Sequence, residues 1–199
     1  MRTRVWLSTL LATAIGTSAS AQTAVTEWTI DPNHTAVQFA VRHLLVSTVR
    51  GQFEKMSGTI SYDGSDVRTI AVEVTIDAAS VNTRVAMRDN DLRSANFFEV
   101  DKYPTIRFVS KRAERVDDGH VRLTGDLTIR GITREVALEV EGPVPPVKQG
   151  PVLRTGATAS VKIKRQDFGL QYNRVIEGAA IVGDDISITI DIEAVRREP

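Results

Sequence analysis

The chain has 199 residues, in which 25 Lys plus Arg are balanced by 25 Asp plus Glu, and it contains no cysteine. Zero net charge removes the long-range attraction that draws a protein to nucleic acid or an anionic surface, so no nucleic-acid partner is expected. Without cysteine there are no disulfides, no thiol catalysis, no thiolate metal site and no haem attached through sulfur.

The first residues, MRTRVWLSTLLATAIGTSASAQ, place two arginines before an apolar run from Val5 to Ile15 and end the small-residue stretch at Ala19-Ser20-Ala21. This is the order of a secretory leader, residues 1–21, with cleavage expected before Gln22 and the mature chain expected in the periplasm. An apolar run of 11 residues is too short for a membrane anchor, which needs about 20. No cysteine follows it to carry a lipid, and no stable membrane insertion is expected. Residues 22–199 have the length of a single domain.

Period-two alternation then dominates. Thr35–Leu45 sets Val37, Phe39, Val41, His43 and Leu45 against Ala36, Gln38, Ala40 and Arg42. Ile70, Val72, Val74 and Ile76 alternate with Ala71, Glu73, Thr75 and Asp77, and Val121, Leu123, Leu127 and Ile129 with polar neighbours. Ile186, Ile188, Ile190 and Ile192 do the same near the end. With segments near 52–62, 104–112, 132–141 and 154–165, eight strands are predicted. Asp63-Gly64, Asp118-Gly119 and Arg130-Gly131 supply glycine where hairpins need positive φ, and Gly142–Pro151 reads as a longer Pro-rich loop.

One apolar and one polar face per strand fits an antiparallel sheet. Eight such strands form a sandwich or close into a barrel, whose interior either just fills or holds one small ligand. Aromatics make up only 6% of the chain, and inward faces of Val, Ile, Leu and Ala suit a slender apolar cavity. From periodicity alone a dry, filled core weighs more.

Residues 82–93, NTRVAMRDNDLR, break the alternation and are predicted helical, with Asn82 or Thr83 as cap. Ser94–Val100 is predicted as a second short helical turn carrying Phe97 and Phe98. An insert of this kind has no room inside a small barrel and must lie across an end, where the phenylalanines plug or gate the mouth or simply seal a core. On a helix the two cannot face the same way, so one is expected to reach inward and the other to anchor the rim.

At RDNDLRSANFFEVDKYPTIRF, together with DPNHTAVQFAVRHLLVSTVRGQF, GDLTIRGITREV and RQDFGL, the chain resembles the YceI-like polyisoprenoid-binding family, from Trp28 to Val195. The resemblance implies an all-β fold: an eight-stranded antiparallel lipocalin-like barrel with a helical insert and an apolar lumen that takes a long lipid tail. It reverses the weight given to a filled core. The expected partner is thus a long-chain lipid (a polyisoprenoid, an isoprenoid quinone or precursor, or a fatty acyl amide) held for storage or transport, with no cofactor besides that lipid. A homodimer is compatible with such a barrel. Ligand contacts are expected from Phe39, Val41, Val72, Val74, Phe108, Leu127 and Ile129 on the strands, from Arg88, Asp91, Leu92, Phe97 and Phe98 on the insert, and from His43, Phe53 and Phe168. Asp91 stands where the family commonly has histidine, so no histidine role carries over, and a carboxylate there favours a neutral head group.

The three histidines, His34, His43 and His120, are far apart in sequence and form no metal-ligand spacing, so no metal site is expected. His43 on an apolar face is more readily a hydrogen-bonded core residue than a ligand contact. Arg88, Asp89, Asp91 and Arg93 read as a solvated helix face. No nucleophile with a supporting base is visible, so binding is favoured over two other readings: an enzyme acting on a small apolar substrate in the same cavity, or a stress-response barrel with an incidental cavity. Burying some 40 isoprenoid carbons at roughly 0.8 kcal/mol each exceeds the practical affinity ceiling near 20 kcal/mol. Ordering of the tail must consume the difference.

Overall fold

The computed structural model describes residues 25–172, 175–176 and 179–198. The expected leader and its cleavage site lie outside the described residues, among which no helix is long and apolar enough to cross a membrane. The chain forms β1 (Thr26–Ile30), β2 (Ala36–His43), β3 (Ser47–Phe53), β4 (Met56–Tyr62), β5 (Ala71–Asp77), β6 (Val81–Asn82), α1 (Ala86–Arg93), β7 (Thr105–Asp117), β8 (His120–Ile129), β9 (Ile132–Glu141), β10 (Val147–Gln149), β11 (Val152–Lys164), β12 (Val175–Ile176), β13 (Ala179–Ala180) and β14 (Val182–Arg197).

All pairings in the main sheet are antiparallel, and the sheet closes on itself. One edge of β14 pairs with β11 from Val152↔Arg197 to Lys164↔Asp185, and its other edge pairs with β1 at Thr29↔Val195 and with β2 from Ala36↔Asp191 to His43↔Val182. The ring runs β14, β1, β4, β5, β7, β8, β9, β11 and back to β14. β1 and β2 occupy one strand position, interrupted by residues 31–35; β3 and β4 share the next, bent at residues 54–55; and β6 prolongs the line of β5. The eight predicted strands are therefore the eight positions of the barrel. Alternation did not show that three of these positions are broken, because a kinked strand keeps its period-two pattern on each side of the break.

Most turn chemistry holds. Arg130 and Gly131 both have positive φ, 49° and 73°, which makes the tight β8–β9 hairpin. Asp63-Gly64 does not close a hairpin directly: it opens a longer loop with a 3-10 turn, Val67–Thr69, in which the Asp63 carboxylate accepts from the Ser65 and Asp66 amides. Gly142–Pro151 is not wholly loop, since β10 pairs back on β11. The expected strand Thr35–Leu45 stops at His43, and Leu44 and Leu45 turn with φ of 50° and 58°.

Two glycines make room for lumen aromatics. A Cβ on Gly51 would lie 2.5 Å from the Phe39 ring, and one on Gly125 would lie 2.6 Å from the Phe108 ring. Each phenylalanine thus lies over a neighbouring strand's bare backbone, where any side chain would push the ring toward the lumen.

Candidate functional site

The inward faces of the ring enclose a cavity of about 230 Å³. Its wall takes Val37, Phe39 and Val41 from β2, Phe53 from β3, Met56 and Ile60 from β4, Val72, Val74 and Ile76 from β5, Ile106 and Phe108 from β7, and Leu123, Leu127 and Ile129 from β8. Val136 and Leu138 of β9, Ala159, Val161 and Ile163 of β11, and Ile186, Ile188, Ile190 and Ile192 of β14 continue it, and no polar atom is exposed to it. In a filled core these inward isoleucines would be sealed. Instead Ile60, Ile186, Ile188, Ile190 and Ile192 are only partly buried although they face inward, as expected for a wall with open space before it.

The lining runs along β14 from Val182 to Ala194. With the irregularity between Val182 and Ile186 discounted, this is ten steps of paired strand, about 33 Å. At a barrel tilt near 40° that is roughly 25 Å along the axis. The hydrocarbon core of a bilayer measures about 30 Å, so the tunnel is much longer than one leaflet's share of about 15 Å.

The insert closes one end, but not as a pair of helices. α1 has no side-chain cap: Val85 sits at its N-cap. The charges expected to be solvated clip it to the barrel instead. Asp89 is 7% exposed and accepts from the Thr83 amide (2.8 Å) and hydroxyl (2.5 Å), while Arg88 donates to the Thr83 hydroxyl and carbonyl, and Arg93 to the carbonyls of Ala79 and Val81. Residues 94–100 form hydrogen-bonded turns rather than helix, with the Phe98 amide on the Leu92 carbonyl and the Glu99 amide on the Ser94 carbonyl. Turn geometry frees adjacent side chains from the 100° helical offset, so Phe97 and Phe98 both reach the lumen. Phe97 packs on Tyr172 at 4.8 Å between centroids, and Phe98 meets Phe53 edge-on at 5.6 Å, with Phe53 against Phe39 at 5.7 Å. Neither acts as a rim anchor; Arg130 does that work, holding the Ala95 carbonyl, the Glu99 carboxylate and the Gly169 carbonyl.

Of the residues expected to meet a ligand, Phe39, Val41, Phe53, Val72, Val74, Leu92, Phe97, Phe98, Phe108, Leu127 and Ile129 line the lumen, whereas four do not. His43 is half-buried at the last position of β2, level with Val182, beyond the lined part of that strand. Arg88 is spent on Thr83. Asp91 is turned to the Asn96 side-chain amide, from which it accepts at 2.7 Å. Phe168 is 1% exposed but belongs to a 3-10 turn, Arg165–Phe168, where strand alternation no longer predicts direction.

Two features escaped sequence reasoning. Arg165 is 3% exposed. It donates Nε to the Gly183 carbonyl (2.9 Å), Nη2 to that of Val182 (3.2 Å) and Nη1 to that of Leu170, and so ties β11, the following turn and the start of β14 together. Burial pushes its guanidinium below the usual arginine range, opposed by the charge of Asp184. Arg165 joins the lumen wall through carbon alone. The second feature is a cluster of Asp31, His34 and Glu193, whose donor atoms lie within 4.8 Å of one another. Arg154 sits on both carboxylates, 3.2 Å from Asp31 and in contact with Glu193, and so supplies the positive charge that a metal would bring. The hydrogen bond from His34 and the Asn33 amide hold the Asp31 carboxyl below its usual value.

The YceI-like domain family matches residues 28–194. A UPF0312 protein of Staphylococcus aureus (strain MSSA476) is 32% identical over 173 residues, covering 85% of this chain and 97% of that one. Among solved structures, the YCEI protein of Campylobacter jejuni is 34% identical with a TM-score of 0.68, covering 79% of this chain and 90% of its own. A polyisoprenoid binding domain from Saccharophagus degradans aligns at a TM-score of 0.64 over 86% of this chain and 98% of its own; at 16% identity it speaks to the fold alone.

Proposed function

Because this chain belongs to the YceI-like domain family, we propose that it is a periplasmic lipid carrier that holds one long hydrocarbon tail in its barrel and leaves the head group at an end. The observation that carries the proposal is the lumen itself: about 25 Å of continuous wall that presents carbon only. A wall without donors or acceptors selects for length and apolarity and cannot reward a polar group for entering. That pattern suits a polyisoprenoid, the ligand class in the name of the S. degradans domain, or an isoprenoid quinone or precursor or a fatty acyl amide.

Binding fits better than catalysis. Among the described residues, the polar side chains that contribute to the wall are Gln38, Tyr62, Thr155 and Arg165, and none is a nucleophile backed by a base. Export rests on the leader motif. The test is mass spectrometry of an organic extract from protein purified without added lipid, with the intact mass measured on material released by osmotic shock. Stoichiometric long-chain lipid and a mature chain beginning at Gln22 are expected. A lipid-free extract from folded protein would sink the carrier reading, and retention of residues 1–21 would sink export.

A further inference from the structure

The β2–β3 hairpin ends in Leu44, Leu45 and Val46, and Leu45 and Val46 are 73% and 82% exposed. This tip is poorly chosen for a turn. Leu44 and Leu45 both have positive φ, a region that Asn and Gly occupy easily and that leucine resists. Packing does not compensate Leu45, because its side chain lies in solvent. The residues at the tip are thus favoured neither by the turn nor by the core, which points to a role outside the fold.

The hairpin that carries the tip holds one sign of charge. From Ala36 to Phe53 the hairpin holds Arg42 and Arg50 and no carboxylate. Arg42 donates to the carbonyls of Leu45 and Val46 and to the Thr48 hydroxyl, bracing the tip. β6 pairs with β3 through Asn82↔Gln52, and Thr83 lies against Gly51, so the chain leaving β6 runs along β3 toward this tip. It carries Arg84, which is exposed, then Val85 (45% exposed) and Met87 (81% exposed) at the start of α1. Of the acids at this end, Glu99 is paired with Arg130 and Asp89 shares Thr83 with Arg88, while Asp184, held by the Gln166 amide, and Asp185 lie on β14 between the partners of His43 and Val41. At the opposite end of the barrel Val116 and Val147 are also exposed, among Asp117, which meets His120, Glu198, which meets Lys148, and the carboxylates of Asp118 and Glu141.

We propose that this rim docks the protein on an anionic lipid bilayer: Leu45, Val46, Val85 and Met87 enter the interface while Arg42, Arg50 and Arg84 meet the head groups. The end closed by Leu92, Phe97 and Phe98 then faces the membrane, so a tail passes between bilayer and lumen without crossing water. This inference rests on the lipid-carrier reading. A chain with no net charge binds this way through one patch, weakly and reversibly, and salt releases it.

The test is flotation of the full mature protein with phosphatidylcholine vesicles, with or without phosphatidylglycerol. Binding is expected only to the mixed vesicles and is expected to be lost at high salt. Leu45→Asn with Val46→Ser relieves the turn and so preserves folding; it should weaken vesicle binding at least about tenfold with the melting temperature unchanged. Arg50→Gln and Arg84→Gln should each weaken it by about fivefold. Wild-type protein that stays soluble with both vesicle types, or a tip variant that floats like wild type, overturns the proposal. Lipid extracted from the same preparations separates the two readings: retained lipid without flotation defeats docking alone, whereas absence of lipid defeats the carrier.

Discussion

Replacing Val74 by tryptophan separates a tunnel from a filled core. Val74 is 6% exposed, faces the lumen from the middle of β5, and lies between Gly58 of β4 and Phe108 of β7 in register. If the interior were close-packed, an indole there would be overpacking and would cost about 1–3 kcal/mol. At roughly 2–4 °C per kcal/mol for a chain of this size, that is a drop of about 2–12 °C from lipid-free wild type. With an open cavity of about 230 Å³ before it, the indole has space, and lipid-free variant and lipid-free wild type should melt within about 2 °C of each other. The difference should appear on adding lipid. A ligand at 100–1,000 times its Kd stabilises the native state by about 2.7–4.1 kcal/mol, which raises the wild-type melting temperature by roughly 5–16 °C. The variant, divided near the midpoint of its tunnel, should lose most of that rise for long tails and keep it for short ones. Calorimetric scans of both proteins, with and without a series of isoprenoid alcohols, supply the measurement. A variant that melts well below lipid-free wild type and gains as much from long tails refutes the tunnel.

The two phenylalanines of the insert should behave differently. Phe97→Ala removes a side chain that is 8% exposed and stacked on Tyr172 and should cost about 3 kcal/mol in a melt, whereas half-buried Phe98→Ala should cost about half that and show its effect as faster lipid release in a fluorescent-tail exchange assay. Arg165→Met leaves one buried and two part-buried carbonyls without their donor and should destabilise by roughly 3 kcal/mol in urea unfolding; a neutral result would mean water replaces the guanidinium. Asp66, hydrogen-bonded by Arg68, has its carboxyl lowered from 3.8 to about 2. Its contribution is therefore complete above pH 4 and lost as pH falls through that interval, so Asp66→Asn should flatten the acid limb of the stability curve between pH 4 and 2 and leave the His120 region unchanged. His120 runs the other way: the Asp117 carboxylate raises its pKa above 6.5, so its contribution is complete below pH 6.5 and lost as pH rises through the raised value. Asp117→Asn should remove that loss from the alkaline side of the same curve.

The antiparallel all-β class, the strand positions and the inward residues were legible in the sequence, because two-residue periodicity is a local property that each strand carries whatever it pairs with; that the strands close into a barrel around a lumen came from the family resemblance. Val72, Val74, Leu127 and Ile129 face inward because their neighbours Glu73, Thr75, Asp126 and Thr128 must face water, and the four isoleucines of β14 repeat that logic. What failed were positions where the chain leaves the period. Leu45 continues the pattern on paper but belongs to a turn, Phe168 lies beyond the last strand residue, and His43 sits past the lined stretch of β2. Local pattern also misread the helix, whose Asp89 and Arg93 look like surface charges until Thr83 and the carbonyls of Ala79 and Val81 come against them. Whether the inward faces meet or stand apart was a tertiary matter altogether. Closure of β11 on β14 and the bare backbone at Gly51 and Gly125 set the width of the interior, and width depends on how eight strands tilt and stagger together, which no single strand encodes.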